Sequence, residues 1–385
     1  MKPENYKIIN RRKLGLVMAA DWMLSAARSV GLIRTDRLPL LPNVAPDIRR
    51  VLLIRLAYIG DVIMTQPVTR VVREAFPNAS VHFLTSSAAT PLLQRDPCID
   101  RVISFDAPWF YRGVDRSRAR CNLEQLAGAY DLGIDFRGDI RNIWHCLYRP
   151  GIPYRLSYSS GGGGALLTHP ISWTELKHKV EFHLDLLRKA GFPAERRDPV
   201  IHLSGDEITG IRERLDRIPA CRGVRPIVIH PGSRLPLKRW SVAHFTRLIH
   251  RLDQENLGPV VLVESRENAS ITGQLRNLNG VQADFTGALS IREMAALFRS
   301  ASVLICHDSA PMHIAAASGC RVVALFGPSR PLETAPSGTG HRIIEAACNL
   351  KDRCDESRCL DRYRGCMDRI DVETVVDAVR AVLKS

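Results

Sequence analysis

No apolar stretch in this 385-residue chain is long and unbroken enough to span a bilayer: the nearest, Leu14–Ile33, is interrupted by Asp21 and Arg28. A small-residue cleavage site of the kind that closes a signal peptide is also missing, so the body of the protein is expected to be cytoplasmic. Basic strips interleaved with aromatic residues are absent, which argues against nucleic acid as a partner. Ten cysteines are present. The four that cluster, Cys348, Cys354, Cys359 and Cys366, lack the paired knuckles of a zinc ribbon. Their spacing points to neither a metal site nor a disulfide, and it gives them no role. Cys306 and Cys320 fall beside apolar runs and read as small buried hydrophobes. No cofactor or metal is expected.

What is plentiful is positive charge. The net charge is +14, and residues 1–50 hold ten Lys/Arg against four Asp/Glu. Such an excess suits an anionic partner. Residues 1–48 read as a basic, partly amphipathic segment. It has two open readings: a helix lying on an anionic membrane leaflet, or one packed on its own domain.

Hydrophobic content of 45% and this length suit a soluble protein of two domains. A first α/β unit is expected over 49–205. Val51–Leu56 reads as a buried strand, followed by a turn at Gly60, a helix over 61–75 and a strand over 80–84. A later strand falls near Leu132–Asp135, and a helix over 177–190 is closed by Gly191. The tract Ser157–Gly164, SYSSGGGG, reads as a flexible loop without a phosphate-loop pattern. A second unit is expected over 225–370, joined to the first near 205–225. It begins with the strand Ile227–His230. Ser241 caps the next helix, and Ser290 to Glu293 forms a capping box opening another. Residues 371–385 form a final amphipathic helix. Alternating strands and helices imply parallel sheets with right-handed crossovers, and two such units imply a cleft between domains.

The segment 303–331 carries the strongest chemical signal. Two buried strands flank a small-residue helix that opens with Asp308, Ser309 and Pro311, with His313 one turn on. A helix N-terminus after a buried strand is a cradle for phosphate. The loop His230–Trp240 adds Ser233 and three cations, Arg234, Lys238 and Arg239, at a strand's carboxyl end. It suits a diphosphate, or else is a solvated basic loop. Asp61 sits where the first strand hands over to its helix. It either points into a cleft or merely complements the helix dipole. Glu264 and Glu267 follow the strand 260–263, where a carboxylate can hold ribose hydroxyls, and Glu267 is the preferred candidate. Arg137 and Arg141 stand at the end of a first-domain strand, as contacts to an acidic ligand or as ordinary surface arginines.

Together, RLAYIGDVIMTQPV, IVIHPGSRLPLKRW and VLICHDSAPMHIAAASGCRVVALFGPSRP resemble glycosyltransferase family 9, the bacterial heptosyltransferases. The likeness runs from about Arg50 to Val382. It implies a GT-B fold, two Rossmann-like domains with parallel sheets facing a central cleft. It also implies inverting, metal-independent transfer of a sugar, with ADP-heptose the expected donor and an anionic lipopolysaccharide-core glycolipid the acceptor at the inner membrane surface. By resemblance Asp61 is the catalytic base. Ser233, Lys238, Glu267, Asp308, Ser309, Met312 and His313 bind the donor. Arg137 and Arg141 would then contact the acceptor. Two departures stand out: Ala310 occupies a position usually held by Gly, and His307 replaces a small polar residue. A nucleotide-sugar epimerase of similar fold and a non-catalytic nucleotide-binding protein are the alternatives.

Overall fold

A computed structural model describes residues 11–33, 47–111, 113–114, 123–173, 175–348 and 365–384. The chain divides into two compact units, Met1–Arg197 and Asp198–Ser385. The segment expected to join them instead holds the helix Gly205–Asp216, whose Glu207 pairs with Arg292 of the second unit's helix Ile291–Ser300.

The first unit is built on β1 (Arg50–Arg55), β2 (Ser80–Thr85), β3 (Arg101–Ser104), β4 (Leu132–Asp135), β5 (Tyr154–Tyr158) and β6 (His169–Ile171). Their order is β3-β2-β1-β4-β5-β6, and every pairing is parallel. Val51–Ile54 and Leu132–Ile134 are fully buried, as near-continuous apolar strands covered on both faces must be. The helix expected over 61–75 is two helices, Ile59–Thr65 and Val68–Ala75. Pro67 lacks an amide donor, so the intrahelical ladder cannot run through it. Gly60 makes no turn; it lies buried inside the first of these helices.

The second unit repeats the plan with β7 (Ile227–His230), β8 (Val260–Leu262), β9 (Val281–Asp284), β10 (Val303–His307), β11 (Val322–Phe326) and β12 (Arg342–Glu345). The order is β12-β11-β10-β7-β8-β9, again parallel throughout. Ser241 and Ser290 cap their helices as expected, Ser290 and Glu293 in a full capping box. The terminal helix Val372–Lys384 belongs to this unit. Its Val375, Val376, Val379 and Val382 are buried with Phe245, Leu248 and Leu252.

Each sheet therefore has one place where neighbouring strands lead their connections to opposite sides: between β1 and β4, and between β7 and β10. In an open parallel sheet the crevice at that point, beyond the carboxyl ends of the strands, is where ligands bind. Sequence places Asp61 just after β1 and Asp308 just after β10.

Candidate functional site

In the first unit Asp61 lies in the helix Ile59–Thr65 that follows β1. A cavity of about 610 Å³ lies at the β1/β4 switch point, lined by Arg55, Tyr58, Asp61, Phe110, Arg137, Asp139, Arg141 and Lys179, among others. Arg137 and Arg141 line it too, so the three first-domain candidates share one site. Four cations face two carboxylates there, which leaves the cavity net positive.

Asp61 is held from several sides. Its Oδ1 accepts from Arg55 Nη2 at 2.9 Å, and its backbone carbonyl accepts from Thr65 Oγ1 at 2.8 Å. Arg55 is itself buried and donates through Nη1 to the Phe136 carbonyl at 2.9 Å. Burial pushes the Asp61 carboxyl up, but Arg55, Lys179 and Arg137 outweigh it and hold the group below its ordinary value. Asp61 is thus a carboxylate at neutral pH with 30% of its side chain still exposed.

The arginines differ. Arg141 is locked to Asp139, Nη2 to Oδ2 at 2.6 Å and Nε to Oδ1 at 2.8 Å. Arg137 donates to the Leu56 carbonyl at 3.1 Å, and its guanidinium lies 4.3 Å from the centre of the Phe110 ring. Beneath both, buried Asp135 accepts from the Gly138 amide at 2.7 Å and from Asn142 Nδ2 at 3.0 Å, which fixes the loop that carries them. Burial raises the Asp135 carboxyl.

The tract Ser157–Gly164 is no flexible loop. It begins as the end of β5, and Ser160, Gly162 and Gly163 are buried. Gly161 bridges Asp139, and a side chain there would overlap the Gly138 carbonyl. The glycines serve close backbone approach beside the cavity, with Ser160 and Gly161 in its wall. Arg55, Lys179 and this glycine wall were missed as site residues. Arg55 ends a strand and Lys179 opens a helix, so only the fold brings them to Asp61.

In the second unit the loop after β7 meets the end of β10. Lys238 Nζ pairs with Asp308 Oδ2 at 2.7 Å, both side chains being largely buried. Ser233 is buried in the same loop, and its carbonyl accepts from Arg239 Nε at 2.7 Å. His307 ties the loop at both ends. Its Nε2 accepts from the Trp240 amide at 2.9 Å, and its Nδ1 lies 3.1 Å from the Gly232 carbonyl. These partners require the neutral ring with the proton on Nδ1. Burial pushes its pKa down to about 4, in agreement with that form. The substitution noted in the sequence is therefore a brace for the loop.

Ser309 precedes the helix Ala310–Ala317, and Pro311 occupies its first turn, where a missing amide costs nothing. His313 is buried on that helix. Met312 is fully buried on the same helix, so its side chain presents no surface to a ligand. The two carboxylates that follow β8 differ in surroundings. Glu267 is exposed on the short turn Arg266–Asn268, whereas Glu264 is buried at the end of β8. Glu264 Oε1 lies 3.3 Å from His230 Nε2 and accepts from the Ser265 amide at 2.8 Å. Burial pushes its carboxyl up, but these partners bring it down to about 2. Gly232 packs directly on its Oε2.

The C-terminal tail gains a structural account. Cys366 and Met367 are buried against Gly327, and Trp240 Nε1 donates to the Ile370 carbonyl at 3.2 Å. Cys354 and Cys359 lie outside the described residues.

The chain is similar to known proteins. A family model for glycosyltransferase family 9 (heptosyltransferase) matches residues 122–362. Lipopolysaccharide heptosyltransferase 3 of Escherichia coli is 25% identical over 351 residues, covering 85% of this chain and 96% of the relative. Heptosyltransferase 2 of the same organism is 23% identical over 314 residues, covering 77% of this chain and 87% of its own. Among solved structures, a family 9 glycosyl transferase from Veillonella parvula gives a TM-score of 0.72 at 20% identity, covering 88% of this chain and 98% of that one. The E. coli ADP-heptose heptosyltransferase II gives 0.70 at 23%, covering 87% and 98%. The two parallel sheets are those of the GT-B fold, and the chain belongs to glycosyltransferase family 9, the heptosyltransferase family.

Proposed function

We propose that this glycosyltransferase moves a heptose from ADP-heptose to an anionic glycolipid of the lipopolysaccharide core, with inversion and without a metal, at the inner face of the cytoplasmic membrane. The observation that carries the reading is the net-positive cavity of the first unit, in which an ionised, partly exposed Asp61 is the group able to take a proton. A cationic cavity suits an acceptor bearing acidic sugars or phosphates. The relatives are named for heptosyl transfer in lipopolysaccharide or lipooligosaccharide. One similar E. coli heptosyltransferase was solved with ADP.

In this mechanism the acceptor hydroxyl gives its proton to an Asp61 oxygen as its own oxygen attacks the anomeric carbon. The bond from that carbon to the diphosphate breaks on the opposite face, and the nucleoside diphosphate leaves with the electron pair. Lys238 and the amino end of helix Ala310–Ala317 stabilise the charge developing on the leaving group. Asp308 holds Lys238 ready until the diphosphate shares it. Ser233, Ser309 and His313 are assigned to the diphosphate and sugar. Glu264, fixed against the loop, replaces Glu267 as the ribose contact. Arg137 and Lys179 are assigned to the acceptor's acidic groups, with Arg141 and Asp139 setting the cavity wall. A low Asp61 pKa suits a proton transfer that comes late, after positive charge has built up at the anomeric carbon.

Calorimetry with ADP, UDP and GDP, with and without magnesium, tests the donor. Selective ADP binding that does not need magnesium, followed by ADP-heptose transfer to a lipopolysaccharide-core glycolipid, is expected. Selectivity for UDP or GDP would change the sugar. Binding of none of the three would overturn the donor assignment.

A further inference from the structure

The helix Arg11–Ser29 packs on the first unit in an unusual sense. Its one acidic residue, Asp21, faces inward and accepts from the Gly163 amide at 2.6 Å. Leu24 and Ala27 pack on the core beneath, and Ile33 is buried just after the helix. Among the described side chains, the outward face carries Leu16, Ala19, Trp22, Met23 and Ala26, a stripe at helical spacing with no charged group, and Val30 follows just past the helix end. Leu16 is 73% exposed, Trp22 69%, Met23 59% and Val30 70%, and Leu32 just beyond is 78% exposed. A stripe this apolar is larger than scattered surface hydrophobes explain.

We infer that this stripe is the surface by which the enzyme docks on an anionic lipid bilayer, inserting Trp22, Met23, Val30 and Leu32 at the headgroup boundary. Charge selects the occupant. The helix opens with Arg11, Arg12 and Lys13, Arg28 lies near its end, and residues 1–50 carry ten basic against four acidic groups. Basic residues flanking an apolar helical face are what an anionic leaflet attracts. Position agrees with charge. Leu16 and Val17 of this helix also line the cavity that holds Asp61, Arg137 and Lys179. A helix lying in the headgroup plane therefore brings the cavity to the membrane surface, where a lipid-anchored acceptor presents its sugars. This second step rests on the acceptor proposed above; docking itself does not.

The test uses the full chain and two double variants, Trp22→Ser with Met23→Ser and Val30→Ser with Leu32→Ser. None of the four residues lines the cavity, and thermal unfolding checks that each variant keeps its fold. The wild type should co-float with phosphatidylglycerol–phosphatidylethanolamine vesicles, less with phosphatidylcholine vesicles, and less again at high salt. Each variant should lose about tenfold or more in partitioning. It should transfer normally to a delipidated soluble acceptor yet poorly to the same acceptor in vesicles. Equal flotation of wild type and variants, or none by the wild type, overturns the inference. So does light scattering that finds a wild-type dimer which the variants dissolve, because the stripe then belongs to a second copy. No transfer by the wild type to either acceptor, with its flotation and the variants' loss of flotation as expected, would uphold docking and count against the proposed function.

Discussion

Arg55 Nη2 lies 2.9 Å from Asp61 Oδ1, and the same guanidinium is anchored through Nη1 to the Phe136 carbonyl. The carboxylate at the end of β1 is thereby fixed by the strand it follows and by the neighbouring β4 connection. The pairing sets both its direction and its charge.

Replacing Arg55 with Gln removes the largest influence that lowers the Asp61 pKa and leaves burial to raise it. The acid limb of kcat/KM, which in the wild type lies below the ordinary aspartate range, should move to higher pH. Stability follows the same sign. A depressed carboxyl stabilises the fold above its unfolded pKa, and that contribution is lost as pH falls through the folded pKa. The variant should lose about 1–3 kcal/mol near neutrality and less in acid. Chemical denaturation at pH 7 and pH 3 compares the two.

His307→Phe keeps the ring volume but leaves the Trp240 amide and the Gly232 carbonyl without their partner. A loss of about 2–4 kcal/mol is expected from two buried unpaired groups, with a weaker grip on nucleoside diphosphate. In the wild type the ring is neutral when folded, with a pKa of about 4 against an ordinary 6.5. The unfolded chain therefore binds the extra proton between these values, and stability falls as pH drops across them by about 3 kcal/mol. That component should vanish in the variant. Urea midpoints measured at pH 7 and pH 4.5 would detect it, and an identical drop in both proteins would refute the brace.

Lys238→Met strands Asp308, a buried carboxylate, and should cost about 3–5 kcal/mol as well as about 10–100-fold in ADP affinity. Adding Asp308→Asn should restore most of the stability and little of the affinity. Recovery of both would mean that Lys238 is only structural.

Gly161→Ala puts a methyl group against the Gly138 carbonyl. About 1–3 kcal/mol of stability should be lost. The acceptor KM should rise while ADP binding, which uses the other unit, stays unchanged. Paired acceptor kinetics and ADP calorimetry test this split.

The two parallel sheets and the position of Asp61 were legible because apolar runs alternate with helical periodicity, and the residue after a strand is identified by counting. Pairwise geometry was not legible. Arg55 and Lys179 stand far apart in sequence and meet Asp61 only after folding. SYSSGGGG has a loop's composition, yet Gly161 approaches the Gly138 backbone and Gly162 and Gly163 adopt positive φ against Ile140. Glu267 and Glu264 are three residues apart, and only burial against Gly232 distinguishes them. Met312 was a donor candidate by resemblance alone, and its side chain is fully buried. The apolar spacing over 61–75 runs unbroken past Pro67, but the missing amide there divides the helix in two.

The most direct test of the account is Asp61→Asn, read by donor binding and by turnover together. The amide keeps the shape beside Arg55 but cannot take the acceptor's proton. ADP affinity should be unchanged, and kcat should fall by about 10²–10⁴-fold. Undiminished turnover with normal ADP binding would contradict the assignment of Asp61 as the base.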